Sequence, residues 1–337
     1  MDAGSPVRLP CAAMPPTCFD LLRVISYARF HSGQTLAREL GTSRASVSRL
    51  LRQLEQFGLK VLKAPGRGCR LVEPYDFLNA AMVRAKLGPQ AAQFRLKLLD
   101  SCSSTNTLLL EQARAGAPLG SVIACELQSS GRGRRGNNWQ SGLGGSLTFS
   151  LLWRFSRGVG ALTGLSLAAG VAVARALSAL GAGDAQLKWP NDVLHDGCKL
   201  GGILIEVQGT SIGPSAAVIG IGLNLRLHQG LRDAIAQPVT DVASMAAKLP
   251  QRSLLLAAVL AQLAQVLPLF AERGFAPLRE EWTRRHAHQG KVVTLSSGDG
   301  RVEVGRAAGV DQDGALLIDT ARGIERFLSG ELSLRAA

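Results

Sequence analysis

Acidic residues are scarce in this chain of 337 residues: 25 Asp and Glu face 38 Lys and Arg, which leaves a formal net charge of +13. This deficit favours acidic partners, such as nucleic acid, nucleotide phosphates or an acidic protein surface. Hydrophobic residues make up 46% of the chain, enough for a buried core, so an intrinsically disordered protein is excluded. The length allows two or three domains.

Paired cysteines are missing as well. The six cysteines lie far apart and form no C-x-x-C pair, which argues against a cysteine zinc site or a dithiol redox motif: positions 11, 18, 69, 102, 125 and 198. Isolated thiols are typical of a reducing cytosol, so we expect a cytoplasmic protein. The first 17 residues contain four prolines but no apolar h-region. We expect a flexible tail there, and no signal peptide.

No uninterrupted apolar run is long enough for a membrane helix. The stretch from 158 to 181 contains Arg175, and the stretch from 254 to 270 contains two glutamines and Pro268. We predict that both are buried or amphipathic helices of a soluble protein, and we expect no membrane partner.

The segment from 19 to 73 has the pattern of a winged helix-turn-helix. Gly41 ends one short helix, and Ser43 is a good N-cap for the next, which carries apolar residues at i, i+3, i+4 and i+7 from Val47. Two short strands joined by "PGRG" (65–68) would form a basic wing. A helical bundle with a solvated basic face is the alternative. If DNA binds, we expect these residues to contact it: Ser43, Arg44, Ser48, Arg49 and Arg52.

The stretch "SSGRGRRGNNWQS" (129–141) combines three glycines with three arginines. Its glycines fit the G-x-G-x-x-G spacing of a dinucleotide-binding turn, which requires a strand before it and a helix after it. Residues 121 to 127 are strand-like, but residues 146 to 155 are also rich in strand-forming residues, so the dinucleotide interpretation fails.

Two other interpretations of this stretch fail too. A P-loop needs a following G-K-[ST], and an RG-rich RNA-binding tract needs low-complexity surroundings; neither is present. The remaining interpretation is a glycine-hinged loop that closes over an anionic ligand, because arginine guanidinium groups match carboxylate and phosphate oxygens.

Four further stretches place polar residues beside predicted elements. Ser104 is expected to cap a helix over 105–115. "QLKWPNDVL" (186–194) is expected to be a strand that breaks at Pro190 into a polar turn. "CKLGGILIEV" (198–207) and "AAVIGIGLNLRL" (216–227) are expected to be buried strands. Each stretch alone is more often a plain turn or a solvated group than a site.

In combination and in order, these motifs resemble those of the biotin protein ligases. The helix-turn-helix in front is similar to that of the subclass that also represses biotin-synthesis genes. The likeness runs from about residue 20 to the C-terminus. The matching stretches are "SSTN" (103–106), "GRGRRG" (131–136) followed by Trp139, "KWPND" (188–192), "KLGGIL" (199–204), "GIGLN" (220–224) and "SGELSLR" (329–335).

The resemblance implies an α+β multidomain fold. A flexible tail (1–17) would precede a winged helix-turn-helix domain (18–80). A mixed-sheet catalytic domain of the class II aminoacyl-tRNA synthetase and biotin ligase type (90–285) would follow. The last part (286–337) would be an SH3-like small β-barrel, which agrees with its short apolar runs separated by Gly and Asp turns.

The resemblance also implies a function. The protein would activate biotin with ATP and Mg²⁺ to biotinyl-5′-AMP, then transfer biotin to a lysine of the carboxyl carrier domain of acetyl-CoA carboxylase. It would also repress biotin-synthesis genes at operator DNA as a homodimer with biotinyl-AMP bound. Two alternatives stay open: a catalytically inactive biotin-sensing transcription factor, and a ligase for a related acid such as lipoate.

Site residues are implied by position in the matching motifs. Lys199, Arg132 and Arg134 would be catalytic, since joining a carboxylate to an α-phosphate brings two anions together. No metal ligand is assigned. The implied biotin contacts are Ser104, Thr105, Asn106, Gln128, Arg132, Gly133, Arg134 and Lys199. The implied ATP and adenylate contacts are Arg135, Lys188, Asn191, Asn224 and Arg335.

Two departures from the family pattern affect these expectations. Asn137 and Asn138 stand beside the arginine-rich stretch where relatives often have basic or bulkier residues, which affects how firmly the loop closes. The segment 226–248, where repressor-type relatives place an aromatic side chain over the adenine, contains no Trp, Phe or Tyr. Adenylate retention, dimerisation and DNA binding are the properties that this absence would weaken.

Overall fold

The computed structural model describes residues 16–297, 302–328 and 332–336. The expected flexible tail, residues 1–17, lies outside the described residues except for its last two. Those two, Pro16 and Thr17, begin the first helix, because the fixed φ of proline suits the first helical turn.

The N-terminal elements form the predicted winged helix-turn-helix. They are α1 (Pro16–Val24), α2 (Gly33–Glu39), α3 (Arg44–Gln56) and the hairpin strands β1 (Val61–Ala64) and β2 (Gly68–Leu71). Gly41 joins α2 to α3 with a φ of 60°, and the Ser43 hydroxyl caps α3 by accepting a hydrogen bond from the Ser46 amide at 3.2 Å. The predicted apolar stripe of α3 is buried throughout: Val47, Leu50, Leu51 and Leu54.

A seven-stranded mixed sheet forms the central part. Its strand order is β3-β4-β7-β11-β10-β9-β8, with β3 and β4 parallel and the other neighbours antiparallel. The elements are α4 (Ala80–Leu87), β3 (Arg95–Cys102), α5 (Thr105–Arg114), β4 (Ser121–Gln128), β5 (Gly131–Arg132), β6 (Asn138–Trp139), β7 (Ser146–Phe155), α6 (Leu165–Ala179), β8 (Gln186–Lys188), β9 (Asp192–His195), β10 (Cys198–Gly209), β11 (Ser215–Asn224), α7 (Gln229–Ala234), α8 (Val242–Met245), α9 (Arg252–Arg273) and α10 (Arg279–Arg284).

Helices cover both faces of this sheet. Because side chains alternate along a strand, Val122 of β4 faces the large core that contains α6 and α9, whereas Ile123 packs under α5. Residues 121–128 and 146–155 are strands with a loop between them, so the rejection of a dinucleotide-binding turn is confirmed.

The two apolar stretches are helices of the core, as predicted. Val159–Ala179 and Arg252–Arg273 are long and apolar enough to cross a membrane by length and composition, but 67% and 56% of their most apolar windows are buried inside the fold. The core helix of a soluble protein has the same properties. Arg175, the charge inside the first stretch, pairs with Glu281 of α10.

The C-terminal part is a small antiparallel sheet with the strand order β15-β14-β13-β12-β16. Its strands are β12 (Val292–Ser297), β13 (Val302–Val310), β14 (Leu316–Thr320), β15 (Gly323–Phe327) and β16 (Leu332–Ala336). Its buried side chains, Val293 and Leu316 among them, join the large central core. The buried Trp189 indole also donates a hydrogen bond to the carbonyl of Gly314 at 3.1 Å, which ties this sheet to the turn between β8 and β9.

Two buried histidines lie where the chain passes from α10 to the C-terminal sheet. The rings of His286 and His288 stack with centroids 6.0 Å apart, and His286 is only 5% exposed. The pKa of His286 is lowered to about 4, mainly by burial and to a smaller extent by the nearby His288 and Lys291. The folded protein therefore holds this imidazole neutral.

Acid is expected to weaken the fold through His286. An unfolded histidine titrates near 6.5, so this contribution to stability is fully present above pH 6.5 and is lost as the pH falls towards 4. Between pH 7.5 and 5 we expect a loss of about 2 kcal/mol from this group, measured by urea unfolding. His286→Phe keeps a ring without a titrating group and should flatten the pH dependence. An unchanged slope would contradict the assignment.

Candidate active site

A cavity of about 610 Å³ opens on the α5 face of the central sheet. The resemblance implied thirteen ligand residues, and the structure brings all of them except Arg335 to the cavity wall: Ser104, Thr105, Asn106, Gln128, Arg132, Gly133, Arg134, Arg135, Lys188, Asn191, Lys199 and Asn224. Arg335 lies in β16, where its backbone pairs with Thr294 of β12, and its side chain is not among those described.

Two glycines of β11 create the room for this cavity. Ala216 and Val218 pack under α5, but the next two positions on that face are Gly220 and Gly222. A Cβ at Gly220 would lie 2.1 Å from Asn106 Oδ1, and one at Gly222 would lie 2.6 Å from Cε2 of Trp139. The "GIGLN" stretch therefore lets polar and aromatic side chains approach the sheet.

Polar groups at the start of α5 form one end of the cavity. Ser104 caps α5 as predicted, its hydroxyl accepting a hydrogen bond from the Thr107 amide. The amide and the hydroxyl of Thr105 both donate to Gln128 Oε1, at 2.7 and 3.1 Å. Since Ser104, Thr105 and Asn106 are buried, this end offers fixed donors and acceptors to a small polar head group.

Asn106 is held in one orientation. Its Oδ1 accepts from the Ser150 hydroxyl, and its Nδ2 donates to Glu206 Oε2 at 3.0 Å and to the carbonyl of Leu204 at 3.3 Å. With both ends of the amide engaged, the side chain cannot flip without breaking hydrogen bonds. This rigidity suits recognition of a defined donor and acceptor pattern.

The arginine-rich stretch forms a short hairpin at the cavity mouth, which we call the arginine loop (129–141). Strands β5 and β6 pair Gly131 with Trp139 and Arg132 with Asn138. Arg132 forms a salt bridge to Glu206 at 2.9 Å, and Arg134 donates to Asn191 Oδ1 at 3.2 Å. Both guanidinium groups are thereby held at the cavity.

Arg134 is the most buried of the three arginines in the loop. Burial, together with the neighbouring Arg135, lowers the pKa of Arg134 from its usual value. A guanidinium remains charged at neutral pH in spite of such a shift. A partly desolvated positive charge interacts strongly with an anion placed beside it, because little water screens the pair.

A bulge in β10 directs Lys199 into the cavity. The register with β9 shifts between Lys199 and Gly201, so one extra residue re-aims the lysine side chain. Lys199 Nζ lies 2.8 Å from Asp192 Oδ1, at the polar turn after Pro190. Asn224 donates to the carbonyls of Lys199 and Thr240, at 3.3 and 3.1 Å, and so fixes the backbone here.

The other end of the cavity is lined by aliphatic and polar residues from 234 to 239, including Ile235 and Val239. Arg232 connects the residues on both sides of this segment: it pairs with the buried Asp241 and donates to the carbonyls of Leu227 and Val239. This segment is therefore ordered by contacts within the chain. A flat ring bound here would pack against aliphatic side chains.

Comparison with known proteins agrees with this geometry. Residues 98–224 match the biotin/lipoate A/B protein ligase family, residues 288–335 the biotin protein ligase C-terminal domain, and residues 19–70 the HTH domain. The bifunctional ligase/repressor BirA of Escherichia coli is 33% identical over 94% of this chain and 97% of its own length. The chain belongs to the biotin protein ligase family.

Other members of the biotin protein ligase family differ in length. The biotin–[acetyl-CoA-carboxylase] ligase of Paracoccus denitrificans is 34% identical but covers 66% of this chain and 92% of its own length. A biotin protein ligase of Aquifex aeolicus, solved in complex with biotin and ATP, superposes with a TM-score of 0.62 at 28% identity, covering 72% of this chain and 99% of that chain. This member with a helix-turn-helix thus resembles the bifunctional relatives over nearly its full length.

Three residues at the site of this biotin protein ligase make contacts that the sequence did not predict. Glu206 holds Arg132 and Asn106, Asp192 pairs with Lys199, and Trp139 packs over Gly222. Asp192 and Trp139 lie within matched motifs, so their place was visible but their partners were not. Glu206 lies within strand β10, and no local signal in the sequence marks it.

The predicted DNA-contacting residues of this family member lie together on α3 and at its cap. All five are exposed, whereas the apolar stripe of α3 is buried: Ser43, Arg44, Ser48, Arg49 and Arg52. This arrangement presents arginine side chains to solvent along one helix face, as a recognition helix does.

Proposed function

We propose that this protein joins biotin to ATP as biotinyl-5′-AMP and then transfers the biotinyl group to a lysine of a carrier domain. One observation carries the proposal: Lys199, Arg132 and Arg134 line the same cavity as the buried polar residues at the start of α5. The Aquifex relative, which shares the fold, was solved with biotin and ATP together.

The first step requires positive charge. A biotin carboxylate oxygen attacks the α-phosphorus of ATP, and pyrophosphate leaves. Because carboxylate and phosphate repel each other, the ammonium of Lys199 lowers the barrier by neutralising the oxygens that meet in the transition state. Arg132 and Arg134 add charge and help to exclude water from a reactive anhydride.

The second step needs no nucleophile from this chain. The neutral amine of the carrier lysine attacks the acyl carbon, AMP leaves with the bonding electron pair, and the amine loses a proton. Relatives named for acetyl-CoA carboxylase support its biotin carboxyl carrier domain as the acceptor.

The cavity ends suit different parts of the adenylate. Thr105, Asn106 and Gln128 would bind the biotin ring system, with Ser104 and Gly133 beside them. The nucleotide would lie towards Lys188, Asn191 and Asn224, with Arg135 as a further phosphate contact. We also assign Arg335 to ATP on the basis of its motif alone.

Magnesium would enter with the phosphates of ATP. The described residues contain no cluster of three or more metal-binding side chains. Mg²⁺ commonly uses one or two carboxylates and completes its shell with phosphate oxygens and water, so the cavity residue Asp192 fits as a carboxylate ligand. The ion would neutralise phosphate charge there.

Mass spectrometry of a purified carrier domain tests the ligase function. After incubation with the protein, biotin and MgATP, the carrier mass should rise by one biotinyl group. Absence of this product would overturn the proposal and favour a catalytically inactive biotin sensor. Lipoate as a competitor would test the second alternative, since the matched family also includes lipoate ligases; preferential transfer of lipoate would reassign the substrate.

The helix-turn-helix supports a second role, repression of biotin-synthesis genes at operator DNA in the cytoplasm. The five exposed residues of α3 and its cap are the proposed contacts. Relatives named bifunctional ligase/repressor support this role, and we propose that the repressor is a homodimer with biotinyl-AMP bound.

Arg49→Ala is expected to lower affinity for DNA from upstream of the biotin-synthesis genes by about tenfold or more, because one arginine contact is removed. Fluorescence anisotropy over a range of salt concentrations would measure the loss. Ligase activity should not change. Arg84→Ala, an exposed arginine in α4, is the control. Equal losses in both variants would rule out α3 as the DNA-reading helix.

A further inference from the structure

Helix α7 reaches from the cavity to the N-terminal winged helix-turn-helix, which we call the DNA-binding part. Its last residue, Ala234, lines the cavity, and the carbonyl of Ala234 accepts a hydrogen bond from the Gln140 side chain of the arginine loop at 3.3 Å. Its N-cap is His228, whose Nδ1 accepts from the Leu231 amide at 3.2 Å. The two ends of one short helix therefore face two different parts of the molecule.

His228 packs directly on the turn that ends the recognition helix. A Cβ at Gly58 would lie 2.4 Å from Cδ2 and 2.7 Å from Cγ of the His228 ring. Gly58 has a φ of 88°, and its amide donates to the carbonyl of Glu55 near the end of α3. Only glycine allows both this backbone conformation and this contact.

The ring is held as a neutral acceptor. Burial lowers the pKa of His228, so Nδ1 is unprotonated at neutral pH and can cap α7. The cap and the contact with Gly58 therefore use the same ring, Nδ1 for one and Cδ2 for the other. A change in the direction of α7 would move the atoms that touch Gly58.

Helix α7 is also tied to its surroundings along its length. Leu231 is buried, and its Cδ2 lies 3.0 Å from where a Cβ at Gly142 would be, just beyond the arginine loop. Arg232 bonds to the segment on both sides of the helix and pairs with Asp241. The helix cannot shift at the cavity end without disturbing the end that touches Gly58.

We propose that α7 transmits occupancy of the nucleotide end of the cavity to the DNA-binding part, and that His228 is the positioning residue that makes this contact. The inference rests on the proposed ligase and repressor functions. A ligand that contacts residues 234–239 favours one position of α7. Because the His228 ring contacts the turn after α3, the position of α7 affects the position of that turn. Such coupling requires different contacts in the bound and free states.

Hydrogen–deuterium exchange of the full chain, with and without biotin and MgATP, tests this coupling. In the wild-type protein we expect ligand to slow exchange in two segments, 229–240 and 54–60, the second by about fivefold. Three variants separate the ring from the cap. His228→Ser removes the ring but keeps a capping oxygen, His228→Ala removes both, and Gly58→Ala forces a methyl group against the ring.

The coupling predicts the same pattern for His228→Ser and Gly58→Ala, and His228→Ala shows what losing the cap as well adds. Ligand should still protect 229–240 in His228→Ser and Gly58→Ala, but protection of 54–60 should fall by at least about threefold. Unchanged protection of 54–60 in these two variants would overturn the coupling. An effect in His228→Ala alone would also overturn it, since the cap would then suffice. If ligand protects 229–240 but not 54–60 in the wild-type protein, the coupling is overturned while the ligase function, tested by biotinylation of the carrier, stands.

Discussion

Replacing Lys199 by alanine is expected to lower the rate of biotinyl-adenylate formation by about two to three orders of magnitude. Lys199 Nζ is directed into the cavity by the β10 bulge and lies 2.8 Å from Asp192, so the variant loses a positioned cation and leaves a carboxylate unpaired. Biotin-dependent exchange of pyrophosphate into ATP measures this step without the carrier. Biotin itself should still bind, because the polar groups at the start of α5 are unchanged.

Two comparisons make this test specific. Lys248→Ala removes an exposed lysine that does not line the cavity and should keep wild-type exchange. Adding Asp192→Asn to Lys199→Ala removes the unpaired carboxylate. If the double variant recovers full activity, the lysine served only to neutralise Asp192, and its assignment to the transition state is wrong.

Replacing Arg252 by alanine is expected to destabilise the protein by about 3–5 kcal/mol, because it leaves a buried carboxylate without its partner. Arg252 and Glu126 pair with side chains only 2% and 4% exposed. The guanidinium also donates to the carbonyl of Ser146 at 3.0 Å. The Tyr75 hydroxyl donates to Glu126 at 3.0 Å, and burial with this carboxylate keeps the pKa of Tyr75 well above its usual value.

Thermal unfolding monitored by circular dichroism measures this loss. Arg284→Ala is the matched control, since Arg284 pairs with Glu280 on the surface and its removal should cost at most about 1 kcal/mol. The double variant Arg252→Met with Glu126→Leu should recover part of the stability, as the unpaired charge is gone. Equal effects of Arg252→Ala and Arg284→Ala would refute the role of the buried pair.

Local sequence patterns predicted much of the fold. The Ser43 cap, the apolar stripe of α3 and the strands on both sides of the arginine loop are set by residues within a few positions of each other, and such patterns carry strong local preferences. The gathering of Lys199, Arg132 and Arg134 at one cavity depends on strand order, which no local pattern encodes. Resemblance to a family supplied that expectation.

Contacts between distant elements could not be predicted in this way. Arg252 and Glu126 are separated by 126 positions and look like ordinary surface charges in the sequence. Glu206 sits in an apolar strand whose outward positions commonly carry charge. The contact of His228 with Gly58 depends on how two parts of the chain pack, and Gly58 alone indicates only the end of a helix.

The hairpin within the arginine loop bears on the two asparagines at 137 and 138, where relatives often have basic or bulkier residues. Asn137 accepts a hydrogen bond from the Gly133 amide through its backbone carbonyl at 2.7 Å, and Asn138 pairs with Arg132 through its backbone. Both side chains are exposed, so the unusual residue types leave this ladder intact. Much of the conformational entropy of the loop is thus lost when the protein folds and not when the ligand arrives. Release of a bound adenylate then requires a structured flap to open, and the residence time of the adenylate depends on that opening.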